Sequence, residues 1–265
     1  MKIKSYSNAE VDSCRKAGKI TATILDELNS IIKEGTSTSE IDEFCLTRIQ
    51  ELGGTPAPLF YRGFPKSTCT SLNHVICHGI PSDRILDEGD IVNIDVTLIL
   101  DGWHGDTSRM YSAGDPSIKA RKLINNTYDS MMLGINSIKP GLKLGDLGSI
   151  IQNNAEKNNY SVVREFCGHG LGQVFHDEPN ILHYGVEDTG LVLKEGMFFT
   201  VEPMVNIGKP ESKILSDGWT AVTRDRSLSA QFEHSVGVTS DLSLIHISEP
   251  TRLRRISYAV LCLKK

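Results

Sequence analysis

Apolar residues recur at helical spacing from the start of the chain. Val11, Cys14, Ala17, Ile20, Ile24, Leu28 and Ile31 fall three or four positions apart, the pattern of one buried helical face. Ser7-Asn8-Ala9-Glu10 ahead of them has the form of a capping box, and Gly35 behind them is a stop. The pattern predicts a second helix, capped by Thr38 or Ser39, running to about Leu52 and closed by Gly53-Gly54. Residues 68–80 and 90–111 have strand character. Asp115-Pro116 predicts a third helix with proline at its first position, running to Lys139 before Pro140-Gly141. A shorter helix is expected over 144–157, and strand-like runs return at 160–167, 196–206, 219–224 and 228–239.

Helix, helix, strands is thus followed by helix, helix, strands. This order lacks regular βαβ alternation and predicts an α+β fold. It also predicts two structurally similar halves, about 1–113 and 114–240, around one site, without a residue-level repeat.

Composition narrows the class. The 265 residues are enough for a full core, and 23% charged with 39% hydrophobic residues is ordinary for a globular protein. A net charge of −5 and a pI of about 5.9 disfavour a nucleic-acid partner. No secretory h-region and no run of membrane-helix length is present. Six cysteines at 14, 45, 69, 77, 167 and 262 form no C-x-x-C pair, so free thiols in the cytoplasm are expected. Residues 241–265 break the pattern: Arg252, Arg254, Arg255, Lys264 and Lys265 face one acid, Glu249, in residues 243–265. This tail resembles vector- or adapter-encoded read-through. A basic tail that touches RNA or anionic lipid, and an ordinary terminal strand, are the alternatives.

Candidate chemistry begins in NIDVTLILDGWHGDTS (93–108). Asp101-Gly102 between apolar-patterned runs is a hairpin signal. Ile94, Val96, Leu98 and Leu100 share one strand face; Asn93, Asp95 and Thr97 share the other, with Ile99. A turn centred on Asp101-Gly102 pairs Thr97 with Asp106 and leaves Asp95 diagonal to Asp106. A turn centred on Leu100-Asp101 pairs the two aspartates directly. Either register juxtaposes two like charges, which is destabilising unless a cation or a proton intervenes. A solvated polar sheet face is the competing explanation, and the hairpin alone does not separate them.

The rest of the chain does. His169 lies between glycines in FCGHGLG, Glu202 ends the apolar run MFFTVEP, and Glu233 sits in QFEHSVG. Three strands that each carry an acid in apolar context are poorly explained as solvated faces. Asp95, Asp106, His169, Glu202 and Glu233 make a hard, oxygen-rich donor set. It suits two divalent ions better than one, and it differs from a Cys- and His-rich structural zinc site.

These residues lie in GFPKSTCTSLNHVICHGIP (63–81), GDIVNIDVTLILDGWHGDTSRMY (89–111), CGHGLGQVFHDEPNI (167–181), GMFFTVEPM (196–204) and QFEHSVGVT (231–239). In these motifs residues 1–240 resemble the bacterial type I methionine aminopeptidases, which are pita-bread metallopeptidases. The resemblance implies a single catalytic domain, helices outside and a curved antiparallel sheet inside. It implies two divalent ions (Co, Mn, Fe(II) or Zn), with Asp106 and Glu233 bridging, Asp95 completing one ion, and His169 and Glu202 the other. It implies removal of the initiator methionine from nascent chains by hydroxide attack on the first peptide bond. Glu202 would also shuttle the proton, His176 would bond the substrate carbonyl, and His78 would contact the scissile amide. Tyr61, Phe64, Cys69, Phe175 and Trp219 would wall the methionine pocket, with Pro58 at a rim position where many relatives carry cysteine. A monomer that meets the ribosome transiently is expected. The alternatives are a proline-specific pita-bread peptidase and a non-catalytic pita-bread binding protein. The first usually carries an added N-terminal domain, for which 265 residues leave no room; the second predicts missing ligands, and all five are present.

Overall fold

The computed structural model describes residues 3–239 and the short strand 244–246. Helix α1 (Asn8–Glu27) opens as read, with the Ser7 N–H donating to Glu10 Oε2 at 2.8 Å. It ends earlier than its apolar pattern, passing into a 3-10 turn over Leu28–Ser30. There Asn29 Nδ2 and Ser30 Oγ donate to the carbonyls of Asp26 and Glu27, which satisfies the helix end locally. Helix α2 (Thr38–Glu51) is capped one residue before the expected positions. Ser37 Oγ accepts from the Glu40 N–H, and Glu40 Oε2 accepts from the Ser37 N–H.

Strands β1 (Thr55–Pro56), β2 (Cys69–Leu72), β3 (Val75–Cys77), β4 (Ile91–Leu100) and β5 (Trp103–Ser112) follow. Helix α3 (Ile118–Ser137) starts after Pro116, because Ser117 takes the cap and its Oγ accepts from the Ala120 N–H. Helix α4 (Leu144–Lys157) matches expectation. The second half continues through β6 (Ser161–Val162), β7 (Gly168–Gly170), β8 (Asp177–Ile181), β9 (Phe198–Val201), β10 (Met204–Asn206) and β11 (Ser212–Ile214). It closes with β12 (Ala221–Thr223), β13 (Ser229–Gln231), β14 (Glu233–Val238) and β15 (Leu244–His246). Strands β1, β7, β8 and β11 have no strand signal in the sequence; they are short, and rich in glycine or polar residues.

Among the described residues the main sheet runs β1-β4-β5-β14-β9-β7-β8, with β2 also on β4 and β15 also on β14. All of its pairs are antiparallel. The two halves of the chain meet where β5 pairs with β14, in a register that sets Ser108 opposite Glu233. Helices α1 and α2 cover the first half: Ile24, Leu25, Ile41 and Ile49 pack with Val92, Ile94, Val96 and Leu98 of β4. Helices α3 and α4 cover the second: Leu123, Met131, Ile135, Leu147 and Ile151 pack with Phe199, Val201 and Val236. Each such buried side chain contributes roughly 1.5–3 kcal/mol. The helices therefore occupy one side of β4, and its odd-numbered residues are left for the other. Gly105 permits the close approach of α1 to β5, since a Cβ there would lie 2.4 Å from the Ala17 carbonyl carbon.

Among the described residues no helix is long and apolar enough to cross a membrane. The expected read-through tail, 241–265, lies outside the described residues apart from β15.

Candidate metal centre and active site

The hairpin takes the first of the two registers. Asp101 and Gly102 have φ of 50° and 80°, the left-handed pair that a tight two-residue turn demands. Leu100 then faces Trp103, Thr97 faces Asp106, and Asp95 faces Ser108. Asp95 and Asp106 are diagonal neighbours on the face turned away from the helices. Thr97 Oγ1 donates to Asp106 Oδ1 at 2.7 Å, which aims the remaining oxygen, Oδ2, into the site.

The other three acids and imidazoles arrive from the second half. His169 lies at the centre of β7, where flanking glycines allow close packing. Its Nδ1 lies 3.1 Å from the Gly170 carbonyl oxygen, which can only accept, so the proton is on Nδ1 and Nε2 carries a lone pair. That lone pair faces Asp106 Oδ2 at 3.7 Å and Glu202 Oε1 at 3.6 Å. Ligand atoms of Asp106, His169 and Glu233 lie within 4.8 Å of one another. Glu233 heads β14, and Asp106, His169, Glu202 and Glu233 are all buried.

Supporting groups hold this geometry. Thr200 Oγ1 accepts from the His169 N–H at 3.0 Å and donates to Glu202 Oε1 at 2.7 Å, tying the two residues together. Gln231 Nε2 donates to Glu202 Oε2 at 3.3 Å. His183 Nε2 accepts from the Glu202 N–H at 3.0 Å. Such outer contacts fix the orientation of metal ligands. Thr200 lies on β9, two residues before Glu202, which follows the strand's last residue, so nearness within the apolar run could have found it. Nothing local in the sequence points to His183.

Electrostatically the site is short of positive charge. Burial lifts Asp106 to about 7, against the Thr97 hydrogen bond. Burial and then Asp106 lift Asp95 well above the usual carboxylate range. Burial also lifts Glu202 and Glu233, with neighbouring carboxylates adding to it. Burial pushes His169 down to about 4. Asp95 Oδ1 is buried without a hydrogen-bond partner. Four carboxylates, an inward lone pair and an orphaned oxygen fit divalent cations, which supply the missing counter-charge.

A cavity of about 340 Å³ opens over this cluster. Asp95, Asp106, His169 and Glu202 line its floor, and the five expected pocket residues Tyr61, Phe64, Cys69, Phe175 and Trp219 line its walls. Trp219 meets Phe64 edge-on at 5.2 Å, and Tyr61 lies 4.9 Å from Phe175. His176 stands beside the metal ligands, its ring 4.3 Å from that of His169 and its Nδ1 3.1 Å from the Tyr61 hydroxyl. His78 lines the cavity from a left-handed backbone, φ 55°, with its ring edge-on to Phe166 and Trp219. Pro58, Arg62, Phe166, Cys167 and Met204 also line the cavity; of these, sequence reasoning placed Pro58 alone. Met204 opens β10 two residues beyond Glu202, after the break at Pro203.

Residues 12–240 match the pattern of metallopeptidase family M24. The chain is 56% identical over 255 residues to a methionine aminopeptidase of Rickettsia prowazekii, covering 96% of this chain and 98% of that one. The chain belongs to metallopeptidase family M24, among the methionine aminopeptidases. The Escherichia coli K12 methionine aminopeptidase is 48% identical over 243 residues, 91% of this chain and 92% of that one. The crystal structure of the R. prowazekii methionine aminopeptidase superposes with a TM-score of 0.92 at 55% identity, covering 94% of this chain and all of that one. A prolidase from Pyrococcus furiosus shares the fold, with a TM-score of 0.75 at 22% identity, 92% of this chain and 65% of that one. This M24 chain thus has the α+β pita-bread fold, and as a metallopeptidase it is a hydrolase that uses divalent metal ions.

Metal-free protein of this M24 type has a distinctive pH response. Each of the four carboxyls has a folded-state pKa above its unfolded value of about 4. Each stabilises the fold while protonated, and that contribution drains away as pH rises through the folded value. The histidines run the other way. His169 and His176, lowered to about 4 and about 3, contribute fully above their unfolded pKa of about 6.5 and lose that contribution below it. Above about pH 6.5 the carboxyls fall together with the thiols of Cys14, Cys45, Cys69 and Cys77, which burial also raises, and a bound cation relieves the carboxyl share alone. Thermal melts of chelator-stripped protein should therefore fall steadily from about pH 6.5 to 8.5, and saturating Mn(II) should flatten the slope. Parallel slopes with and without the ion would contradict the site.

Proposed function

We propose that this enzyme releases methionine from the N-termini of peptides and nascent chains. The observation that carries the reading is a carboxylate-rich, cation-deficient floor beneath an aromatic, thiol-lined cavity, in a chain alike over nearly its whole length to methionine aminopeptidases. Two divalent ions, held by Asp95, Asp106, His169, Glu202 and Glu233, would supply Lewis acidity and lower the pKa of a water at the site. Mn(II), Co(II), Fe(II) and Zn(II) all suit this donor set.

The chain's own residues supply the rest. Tyr61, Phe64, Cys69, Phe175 and Trp219, with the Met204 thioether, form soft apolar walls for a sulfur-containing side chain. With the Tyr61 hydroxyl donating to His176 Nδ1, 3.1 Å away, the Nε2–H would be left to donate to the first peptide carbonyl and to the charge that develops on its oxygen. His176 remains neutral for this task, because burial and then His169 lower it to about 3. His78 contacts the scissile amide. Glu202 takes the proton of the attacking water and passes it to the leaving amine, while Thr200 and Gln231 hold its two oxygens in place. The reading extends to a cytoplasmic monomer that meets nascent chains transiently at the ribosome, because initiator methionine is first exposed there.

The test is release of methionine from Met-Ala-Ser by chelator-stripped protein, with each of the four ions added back separately and iron handled without oxygen. Metal-restored cleavage, with Leu-Ala-Ser and Met-Pro-Pro cleaved poorly, is expected. Folded protein that cleaves Met-Ala-Ser with none of the ions would end the reading, and a preference for Met-Pro-Pro would shift it to a proline-directed peptidase.

A further inference from the structure

The mouth of the cavity carries a cation without a counter-charge. Arg62 lines the cavity and is exposed. Among the described residues no carboxylate lies within ion-pair distance of its guanidinium. The guanidinium sits instead over the Tyr61 ring, 5.3 Å from its centre.

The backbone that presents it is unusual. Phe60 and Arg62 adopt φ of 65° and 48°, left-handed values that cost energy for residues bearing a Cβ. The loop is closed by the Phe60 N–H donating to the Phe64 carbonyl at 2.8 Å. It turns Tyr61 inward to His176 and leaves Arg62 at the rim beside it. The positive charge of Arg62 reaches the His176 ring, where it adds to burial and to the neighbouring histidines in lowering its pKa.

On the reading above, the methionine side chain enters the aromatic walls and His176 meets the first carbonyl. The chain beyond the cut must then leave past the rim. An extended peptide advances about 3.3 Å per residue, so its third and fourth residues pass within reach of a long side chain anchored there. Of the acids lining the cavity, Glu165 lies outside the metal cluster, and its Oε1 accepts from the Ser212 N–H. We infer that Arg62 selects substrates that carry an acidic side chain at the third or fourth residue. This inference rests on the methionine-releasing reading and narrows its substrate class.

The experiment compares kcat/KM for Met-Ala-Glu-Ser, Met-Ala-Ser-Glu, their lysine counterparts and Met-Ala-Ser-Ser, at low ionic strength with Mn(II). Glutamate should be preferred to lysine by about 3- to 10-fold, and the preference should shrink in 0.5 M KCl, added at roughly a 4 Å screening length. Arg62→Asn removes the charge and keeps a side chain that tolerates left-handed backbone; it should bring the ratio near one. Arg62→Glu should invert it. Ratios taken within each variant cancel any change in its basal rate. A ratio near one in the parent enzyme, or the parent ratio retained in Arg62→Asn, would overturn the inference while leaving methionine release standing. Failure of the parent to cleave Met-Ala-Ser-Ser would overturn both.

Discussion

Glu202→Gln should abolish turnover while leaving the fold intact. The substitution keeps shape and volume, and the amide oxygen can still accept from Thr200 Oγ1 as the carboxylate does at 2.7 Å. What it removes is the ability to take a proton and give it back. Positioned proton transfer contributes about 10²–10⁴-fold, so kcat should fall by at least that much. One negative charge at the ions is also lost, which deepens the effect. The assay is methionine release by protein whose metal content and melting temperature are measured in the same preparation. A variant that keeps its ions and more than about a tenth of parental kcat would remove Glu202 from proton transfer.

Asp106→Asn should uncouple the protein from its metals. Asp106 is the hub of the cluster: its charge raises the pKa of Asp95, Glu202 and Glu233, and its Oδ2 faces His169. Asparagine retains the acceptor for Thr97 and presents a neutral amide where the proposed site offers a cation an anionic oxygen. Ion binding at a hundred times Kd stabilises a fold by about 2.7 kcal/mol. For a chain of this size that is roughly 5–10 °C of melting temperature. The Mn(II)-dependent rise should vanish in Asp106→Asn, and activity with it. The sign reverses without metal. At pH 8 the metal-free variant should melt above the metal-free parent, because one of four crowded, buried carboxylates is gone. A metal-free variant that melts below the parent at pH 8 would show that Asp106 holds the structure by some route other than cation binding.

Much of this site is legible in the sequence alone. Alternation on β4 already separated the helix-facing Ile94, Val96 and Leu98 from the site-facing Asp95 and Thr97, and the packing of α1 and α2 agrees with it. The five candidate ligands stand in motifs whose apolar flanks mark them as buried. The aromatic residues of the cavity wall follow from family resemblance rather than from periodicity, since aromatic residues serve equally well as core. Helix ends were less legible. Ser37 took the cap that the pattern assigned to Thr38 or Ser39, and Ser117 moved the start of α3 past Pro116, because neighbouring polar side chains compete within fractions of a kcal/mol.

The linear chain by itself determined that these acids stand in apolar context, on which face of β4 Asp95 would lie, and that a counter-charge or protons were needed among them. Those properties follow from local periodicity and from the cost of burying charge. Tertiary structure alone decided how these residues combine. The turn at Asp101-Gly102 selected the diagonal register over the direct one, because both of its residues accept left-handed backbone. The β5–β14 pairing joined Ser108 to Glu233 across 125 residues of chain. Closure of β7 on β9 put the Thr200 hydroxyl between His169 and Glu202, and the packing around β9 brought His183 under the Glu202 amide. Contacts of that kind depend on which distant segments meet, and hydrophobic pattern records that a segment is buried without recording against what.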